Sequence, residues 1–421
     1  MIRRLLNTFA GNGPTVGIGS PAVTRPEIAD VASPLHAAAS RSRIDSVDLL
    51  RGLVMVIMAL DHVRDYFTAV RFDPLDLTQT TAAYFFTRWI THFCAPVFVF
   101  LAGTGAFLSS TRGKSTKQLS RFLLTRGIWL IVVELTFVRL AWQFSFDTSF
   151  LFVQVIWAIG CSMIFLSGLV YLSTRTIAII GVSMIALHNL LDGIAPESFG
   201  SLSWLWMTLH VQAVYPLSEG HVYMPFYPLI PWLGVMAAGY AFGTVFQLEP
   251  DRRRIVLLRM GIGLTAAFVV IRGINVYGDL VPWSEQETAM RTFFSFLNTT
   301  KYPPSLSYLL MTLGPSILFL GLVDRGFPQG LRPIIIFGRV PMFYYVVHLY
   351  VIHALAVAAG VMQGFNAGAF LSIFVNFPAE YGFNLLVVYV LWIVIVVLLY
   401  PLCKWFAGLK RRRKDWWLSY L

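Results

Sequence analysis

The stretch RGLVMVIMALDHVRDYF, which begins at Arg51, places ionisable side chains at both ends of an apolar run. Arg51 and His62 are 11 positions apart, which on an α-helix is about 20° from three full turns and a rise of about 16 Å. Both side chains are therefore expected on one helix face. An arginine suits the phosphates of a donor molecule, and a histidine suits a general base near neutral pH. The plainer alternative is an arginine that snorkels and a histidine that only packs.

A second apolar run contributes another cation and another histidine. Arg88 and His92 are four residues apart, so they share a helix face, and the run places His92 at a depth similar to His62. We expect Arg88 to bind substrate and His92 to act as, or assist, the base. Asp61 is expected to orient His62. An interfacial arginine and a packing histidine are the alternative.

The run IIIFGRVPMFYYVVHLYVIH combines a cation near one membrane surface with a histidine near the middle. Arg339 is expected near the cytoplasm, where it would bind donor phosphates together with Arg51. Pro341 predicts a kink, because proline removes a helical hydrogen bond. His348 lies at a depth where only a cavity or a neighbouring helix satisfies it, which makes it a catalytic candidate.

The stretch NTTKYPPSLSYLLMTLGP leads into a further apolar run and carries polar groups at its outer mouth. Asn298, Lys301 and Tyr302 are expected to bind an acceptor there. An ordinary interfacial lysine is an equally good interpretation of Lys301.

The elements that position these residues are predicted to be transmembrane helices. The chain of 421 residues is 57% hydrophobic and 13% charged, with a mean hydropathy of +0.68, whereas soluble domains carry roughly 25% charged residues. We therefore predict an all-α polytopic membrane protein with about ten spans. The predicted spans are 47–66, 84–109, 122–142, 150–172, 176–191, 227–247, 255–273, 304–323, 334–358 and 383–403.

The distribution of Lys and Arg predicts the orientation of these spans, since both residues accumulate in cytoplasmic loops. Segments 143–149, 192–226 and 359–382 contain neither residue and are expected outside. Both termini are expected in the cytoplasm. The predicted organisation is a disordered tail over 1–44, a membrane domain over 45–405 and a basic tail over 406–421. The net charge of +11 reflects this bias, so no nucleic-acid partner is expected.

Motifs of other chemistries do not stand out in the sequence. The three cysteines lie in apolar runs without metal-ligand spacing, and no metal is expected. The sequence contains neither a glycine-rich phosphate loop nor a serine nucleophile elbow.

Four stretches resemble the catalytic-domain family of heparan-α-glucosaminide N-acetyltransferase, over about 45 to 405. They are SVDLLRG, FCAPVFVFLAG, PSLSYLLM and FGRVPMFYYVVHL. The wider superfamily includes bacterial membrane acyltransferases that modify surface glycans and show an Arg and a His at the spacing of Arg51 and His62.

The resemblance implies transfer of an acyl group, acetyl in the first instance, from cytoplasmic acetyl-CoA or another acyl-CoA to a small-molecule or glycan acceptor across the bilayer. It also implies a multi-pass protein of the bacterial inner membrane. The eukaryotic members place a catalytic histidine in the loop between the first two spans, and that loop has no histidine here. Either His62 or His92 would take its role, and glucosaminide as acceptor is in doubt.

Other functions also fit the sequence. A proton-coupled transporter without acyl chemistry also suits many spans and a midplane histidine, and a lipid-flipping scaffold is a third possibility. The sequence leaves the acceptor, the acyl length, the identity of the base, the oligomeric state and the pathway undetermined.

Overall fold

The computed structural model describes residues 44–372, 377–413, 415 and 418. The predicted N-terminal tail falls outside them except for Ile44, and so does much of the segment after Arg413. The described residues are mostly helical, with a small sheet. The α-helices are α1 (Asp45–Phe67), α2 (Ala82–Trp89), α3 (Cys94–Ser110), α4 (Thr116–Val133), α5 (Arg139–Gln143), α6 (Val155–Leu169), α7 (Thr174–Leu187), α8 (Ser203–Leu209), α9 (Leu229–Phe242), α10 (Pro250–Ile274), α11 (Ala289–Leu297), α12 (Leu306–Val323), α13 (Arg332–Arg339), α14 (Pro341–Met362) and α15 (Leu385–Arg412).

Short turns of other helix types join or extend several of these helices. A π-helical turn, Glu134–Val138, connects α4 to α5. The 3₁₀ segments are Ile90–Phe93, His188–Leu191, Pro196–Leu202, Gly243–Gln247, Gln329–Leu331 and Ala367–Phe370.

Within the part of the chain that the structure describes, seven helical segments are long and apolar enough to cross a membrane: Ala82–Ser110, Thr174–Leu191, Leu229–Gln247, Pro250–Ile274, Leu306–Val323, Pro341–Met362 and Leu385–Arg412. Together they indicate a multi-pass membrane protein. The other three predicted spans also lie on helices, namely α1, α4 and α6. α1 and α4 each carry several charged residues, and α6 has only 15 residues. A count of ten and the cytoplasmic position of both termini stay predictions.

A three-stranded sheet departs from the all-α expectation. Strands β1 (Phe150–Val153), β2 (Tyr215–Ser218) and β3 (His221–Pro225) have the order β1-β3-β2, with β1 parallel and β2 antiparallel to β3. The predicted span 150–172 was wrong in its first residues. FLFV is apolar throughout, and hydropathy cannot tell a buried strand from the start of a helix.

The predicted ninth span is divided in two. α13 ends at Arg339 and α14 begins at Pro341, with Val340 between them in a non-helical conformation. Proline disfavours a helical conformation in the residue before it and cannot donate to the preceding turn. α14 alone is therefore the segment long enough to cross the membrane.

Close backbone contact fixes α1 against α13. A Cβ on Gly52 would lie 2.0 Å from the carbonyl oxygen of Ile334, and one on Gly338 would lie 1.9 Å from that of Asp48. Only glycine fits at either position, as is common where membrane helices approach closely. α14 and α15 also pack on α1, so the helix that carries Arg51 and His62 is surrounded by the later part of the chain.

The remaining helices pack in pairs around the core. α10 lies against α12, α9 against both α7 and α3, and α4 against α6. The apolar segment of α9 is 72% buried, whereas those of α10 and α15 are each 17% buried. The outward faces of α10 and α15 are thus the apolar surfaces that lipid would cover.

Candidate active site

A polar cavity of about 490 Å³ lies where α1 and α2 meet the sheet and the segment before α12. Its volume is within the usual range for small-molecule sites. Three of its lining residues carry positive charge and three carry negative charge, and most of the others are aromatic or apolar. The lining residues are Asp61, His62, Arg64, Asp65, Asp73, Pro74, Arg88, Trp142, Phe150, Phe152, Gln154, Met224, Phe226, Tyr227, Lys301 and Tyr302.

His62, which lines this cavity, meets a second histidine from a distant helix. Nδ1 of His62 on α1 lies 2.7 Å from Nε2 of His348 on α14, and Nδ1 of His348 lies 2.9 Å from the carbonyl oxygen of Tyr344. A carbonyl oxygen only accepts, so Nδ1 of His348 carries its proton. With both rings neutral, Nε2 of His348 is an acceptor and Nδ1 of His62 donates to it. The remaining nitrogen of His62, Nε2, then holds a lone pair.

Aromatic rings hold the histidine pair in place. The ring of His62 meets Trp142 edge-on at a centroid distance of 5.0 Å, and His348 stacks on Tyr344 at 5.0 Å. His348 is fully buried and His62 nearly so. Because the rings are packed on several sides, rotation out of the hydrogen-bonded arrangement is costly.

A four-membered ion-pair network lies beside the histidine. Arg88 donates to both carboxylate oxygens of Asp61 at 2.8 Å. Arg64 bridges Asp61 at 2.8 Å and Asp65 at 2.5 Å. Thr91 donates a further bond to Asp61. The two carboxylates of this network balance its two guanidinium groups, and this balance reduces the free-energy cost of holding the charges away from water.

The segment before α12 supplies a cation and a phenol to the same cavity. Lys301 Nζ lies 5.1 Å from the ring centroid of Tyr302, whose ring also contacts Tyr227. Burial raises the pKa of Tyr302, but the positive charges of Lys301 and Arg88 outweigh burial, and its pKa lies below the ordinary value. Among the described residues, Lys301 has no carboxylate within ion-pair distance, unlike Arg64 and Arg88.

The two arginines expected to bind a donor lie together at the other end of α1. Arg51 pairs with Asp48 at 3.2 Å and donates to the carbonyl oxygen of Gly338. Arg339 approaches the same Asp48 at 3.6 Å and Asp45 at 3.1 Å. Neither arginine lines the cavity. The structure thus brings Arg51 and Arg339 together, but apart from the histidine pair.

Three predicted residues have contacts that the sequence did not indicate. Both ring nitrogens of His92 are buried without a hydrogen-bond partner in the described chain, and its ring faces Tyr308 rather than the cavity. Asn298 donates to the carbonyl oxygen of Leu75 and does not line the cavity. Asp61 bonds to cations, and the partner of His62 is instead His348.

Sequence reasoning missed several lining residues. Trp142 and Tyr227 lie on elements remote in sequence, and nothing in their neighbourhoods marks them. Arg64 and Asp65 were visible in the opening stretch, where their spacing from Asp61 already allowed an ion-pair network.

A helical membrane bundle with a polar cavity and a hydrogen-bonded histidine pair is typical of an enzyme or transporter that acts within the bilayer. Residues 43–276 match the family model of the heparan-alpha-glucosaminide N-acetyltransferase catalytic domain. This match covers more than half of the chain, and the chain belongs to that family of membrane acetyltransferases. No curated protein matches the chain.

The matched region contains part of the site only. Arg51, Asp61, His62, Arg88 and His92 lie within it. The second histidine and the other predicted binding residues follow it, namely Asn298, Lys301, Tyr302, Arg339 and His348. The cavity is therefore assembled from residues on both sides of the boundary.

Proposed function

We propose that the protein transfers an acyl group, acetyl in the first instance, from cytoplasmic acyl-CoA to an amine or hydroxyl of a glycan or similar small molecule on the extracytoplasmic side. One observation carries the proposal. The bond between His62 and His348 leaves a lone pair on Nε2 of His62, beside a cavity large enough for an acceptor. Membership of an acetyltransferase family supports the same chemistry.

His62 would act as the general base. An acceptor hydroxyl or amine in the cavity gives its proton to Nε2 of His62 as its oxygen or nitrogen attacks the thioester carbonyl. The bond to sulfur then breaks, and the CoA thiolate takes the proton from His62. One cycle thus moves the acyl group to the acceptor and the proton to the CoA thiol, and it returns His62 to its neutral form. A positioned base typically contributes about 10²–10⁴-fold to such a step. An acyl-histidine intermediate would use the same nitrogen as nucleophile.

His348 would be a positioning residue. When His62 becomes an imidazolium, its Nδ1–H still points at Nε2 of His348, which accepts the bond. The carbonyl of Tyr344 keeps His348 in the accepting tautomer. His62 and His348 would thus act like the base and the orienting group of a catalytic triad, with a neutral imidazole in place of the usual carboxylate.

Lys301 and Tyr302 would bind the acceptor and stabilise the negative charge that develops on the acyl oxygen during transfer. Lys301 has no carboxylate partner among the described residues, so its ammonium is available for an acyl oxygen that becomes negative. The lowered pKa of Tyr302 makes its hydroxyl a stronger hydrogen-bond donor. Trp142 and Tyr227 line the cavity and would pack against a sugar ring. Arg88 would contribute through Asp61, whose carboxylate it holds.

Arg51 and Arg339 would bind the donor at the cytoplasmic end of α1. Each guanidinium group now approaches one carboxylate oxygen of Asp48, and a phosphate would offer both arginines acceptor oxygens with more charge. The 11 positions between Arg51 and His62 correspond to about 16 Å along the helix. The extended acyl-pantetheine arm of CoA would cover this distance.

The second candidate is a proton-coupled transporter. The buried network of Asp61, Arg88, Arg64 and Asp65 beside a histidine pair also suits a proton pathway. A transporter would use the same groups without binding acyl-CoA.

The test uses purified protein in sealed vesicles with acetyl-labelled acetyl-CoA and a panel of amino sugars and neutral sugars. The proposal expects label to appear on an acceptor, with transfer slowed about 10²–10⁴-fold in His62→Gln and unchanged in His221→Gln, at an exposed histidine on β3. Absence of both donor binding and label transfer in the wild type would overturn it. Proton-dependent solute uptake in the same vesicles would then support the transporter.

A further inference from the structure

A second polar cluster lies outside the cavity, at the end of α7. His188, Asp192 and His210 each offer one ligand atom, and the three atoms lie within 4.8 Å of one another. His188 and Asp192 belong to the turn after α7, and His210 follows α8 directly. None of the three lines the cavity, and none has a role in the proposed acyl transfer.

The histidines of this cluster are buried with polar atoms that lack partners. His188 is 2% exposed and His210 is 1% exposed. Within residues 44–372 and 377–413, both ring nitrogens of His188 and Nδ1 of His210 have no hydrogen-bond partner. Buried polar groups are nearly always satisfied, and exceptions point to a water or an ion. One nitrogen from each histidine ring together with one carboxylate oxygen of Asp192 forms the donor set of a transition metal.

The carboxylate is already oriented towards the histidines. Asp192 Oδ1 lies 2.9 Å from Nε2 of His210, and Oδ2 accepts from the side chain of Asn189 at 2.8 Å. Asn189 in turn accepts from the backbone N–H of Leu306 at the start of α12. Outer contacts of this kind hold metal ligands in position and tune the metal.

We propose that His188, Asp192 and His210 bind a divalent transition metal ion, with Zn²⁺ as the first choice. Two imidazoles and one carboxylate are a usual zinc donor set, whereas Mg²⁺ and Ca²⁺ prefer oxygen ligands alone. Zinc ligands at about 2.0–2.2 Å from the metal lie about 3.4 Å apart in a tetrahedral site. The present ligand atoms lie within 4.8 Å of one another, so side-chain rotation on metal binding would bring them to that spacing. A water molecule would occupy the fourth position.

The metal would join three parts of the chain that are distant in sequence. It would tie the end of α7 to α8 and, through Asn189 and Leu306, to the start of α12. Lys301 and Tyr302 lie just before α12, so the site would stabilise one wall of the cavity from outside it. The proposal is independent of acyl transfer and would stand if the protein were a transporter.

The test measures metal binding directly. The full chain, purified in detergent without a polyhistidine tag and stripped with EDTA, is titrated with Zn²⁺ by calorimetry and with Co²⁺ by visible absorption. The wild type is expected to bind one ion per chain with tetrahedral Co²⁺ bands. His188→Gln, Asp192→Asn and His210→Gln should each weaken binding at least tenfold, and His221→Gln should bind like the wild type.

Thermal unfolding distinguishes the loss of a metal site from the misfolding of a variant. Zn²⁺ should raise the unfolding midpoint of the stripped wild type and leave that of His210→Gln unchanged, because a ligand stabilises only the state that it binds. Lack of stoichiometric binding by the wild type, or undiminished binding by all three variants, would overturn the proposal. If one variant does not fold, the other two and the wild-type midpoint still decide the result. A confirmed site would also correct the expectation from the sequence that no metal is bound.

Discussion

His62 and His348 form a direct hydrogen bond, with 2.7 Å between Nδ1 of the first and Nε2 of the second. The two residues are 286 positions apart in the chain, and the packing of α14 on α1 brings them together. The bond to the carbonyl of Tyr344 fixes the tautomer of His348, and through it that of His62. Nε2 of His62 can therefore accept a proton, while His348 accepts a hydrogen bond from the other nitrogen of the same ring.

Replacement of His62 should separate chemistry from donor binding. His62→Gln removes the lone pair at Nε2 and should slow single-turnover acyl transfer by about 10²–10⁴-fold, the usual contribution of a general base. Calorimetric binding of acetyl-CoA should remain close to that of the wild type. His92→Gln is the matched control, because His92 is also buried but does not line the cavity. Loss of transfer in His92→Gln with full transfer in His62→Gln would make His92 the base.

Replacement of His348 should have a smaller effect that a conservative variant rescues. A hydrogen bond to a charged group contributes about 1.5–3 kcal/mol, so His348→Ala should slow transfer by roughly 10- to 150-fold. His348→Gln keeps a carbonyl oxygen that can accept from His62 and should recover most of the rate. Equal losses of transfer rate in the two variants would instead indicate that the imidazole of His348 itself reacts, or that its packing alone affects the rate.

The ion pair of Asp61 and Arg88 should prove more important for stability than for donor binding. Asp61→Asn leaves Arg88 with a neutral partner in a partly buried site. This should destabilise the protein by about 3 kcal/mol, the lower end of the range for breaking a buried pair, because Asp61 still contacts the cavity. Adding Arg88→Met should restore part of that stability. Denaturant unfolding in detergent measures the free energy of unfolding lost in Asp61→Asn and the part of it recovered in the double variant.

The exposed pair of Arg291 and Glu287 serves as the reference for that cycle. Glu287 is 84% exposed at 3.1 Å from Arg291, and Glu287→Gln should change stability by less than about 1 kcal/mol. If the stability lost in the double variant equals the sum of the losses in Asp61→Asn and in Arg88→Met alone, the two residues are not energetically coupled.

Much of the fold could be predicted because apolar periodicity and length are local signals. Each of the ten predicted spans corresponds to helical residues, including the one that carries Arg51 and His62. The short strand FLFV was wrongly included in a helix because its pairing with β3 depends on residues about 70 positions later. The break at Val340 had a local cause, the proline that follows it, and was anticipated as a kink.

The candidate site was harder to predict because its contacts cross the whole chain. Spacing on one helix related Arg51 to His62, but nothing local relates His62 to His348 or to Trp142. The cluster of His188, Asp192 and His210 was missed for the same reason, since 18 positions separate Asp192 from His210. Sequence patterns identified candidate residues and left their partners open.

Donor binding should depend on the two arginines at the far end of α1. Arg51→Ala should weaken acetyl-CoA binding by about 1.5–3 kcal/mol, because a charge-assisted hydrogen bond to phosphate is lost. Arg339→Ala should weaken it similarly, and the effects should not add, since both arginines share Asp48. Arg252→Ala, at an exposed residue in the first turn of α10, is the control in calorimetry. Unchanged binding in both variants would place the donor elsewhere.

The number of membrane crossings can be tested by the positions of the two termini. Seven crossings, an odd number, would put the termini on opposite sides, whereas the ten predicted from the sequence put both in the cytoplasm. We expect reporter fusions at both termini, after Ser110 and after Gln247 to be cytoplasmic, and a fusion within 192–226 to be external. The reason is the absence of Lys and Arg from 192–226 and their abundance in the opposite loops. A cytoplasmic N-terminus with an external C-terminus would show that an odd number of the helices cross. α1 and α4, which carry several charged residues, and α6, which has only 15 residues, would then be the first to reassign, and the placement of Arg51 near the cytoplasm would fail with them.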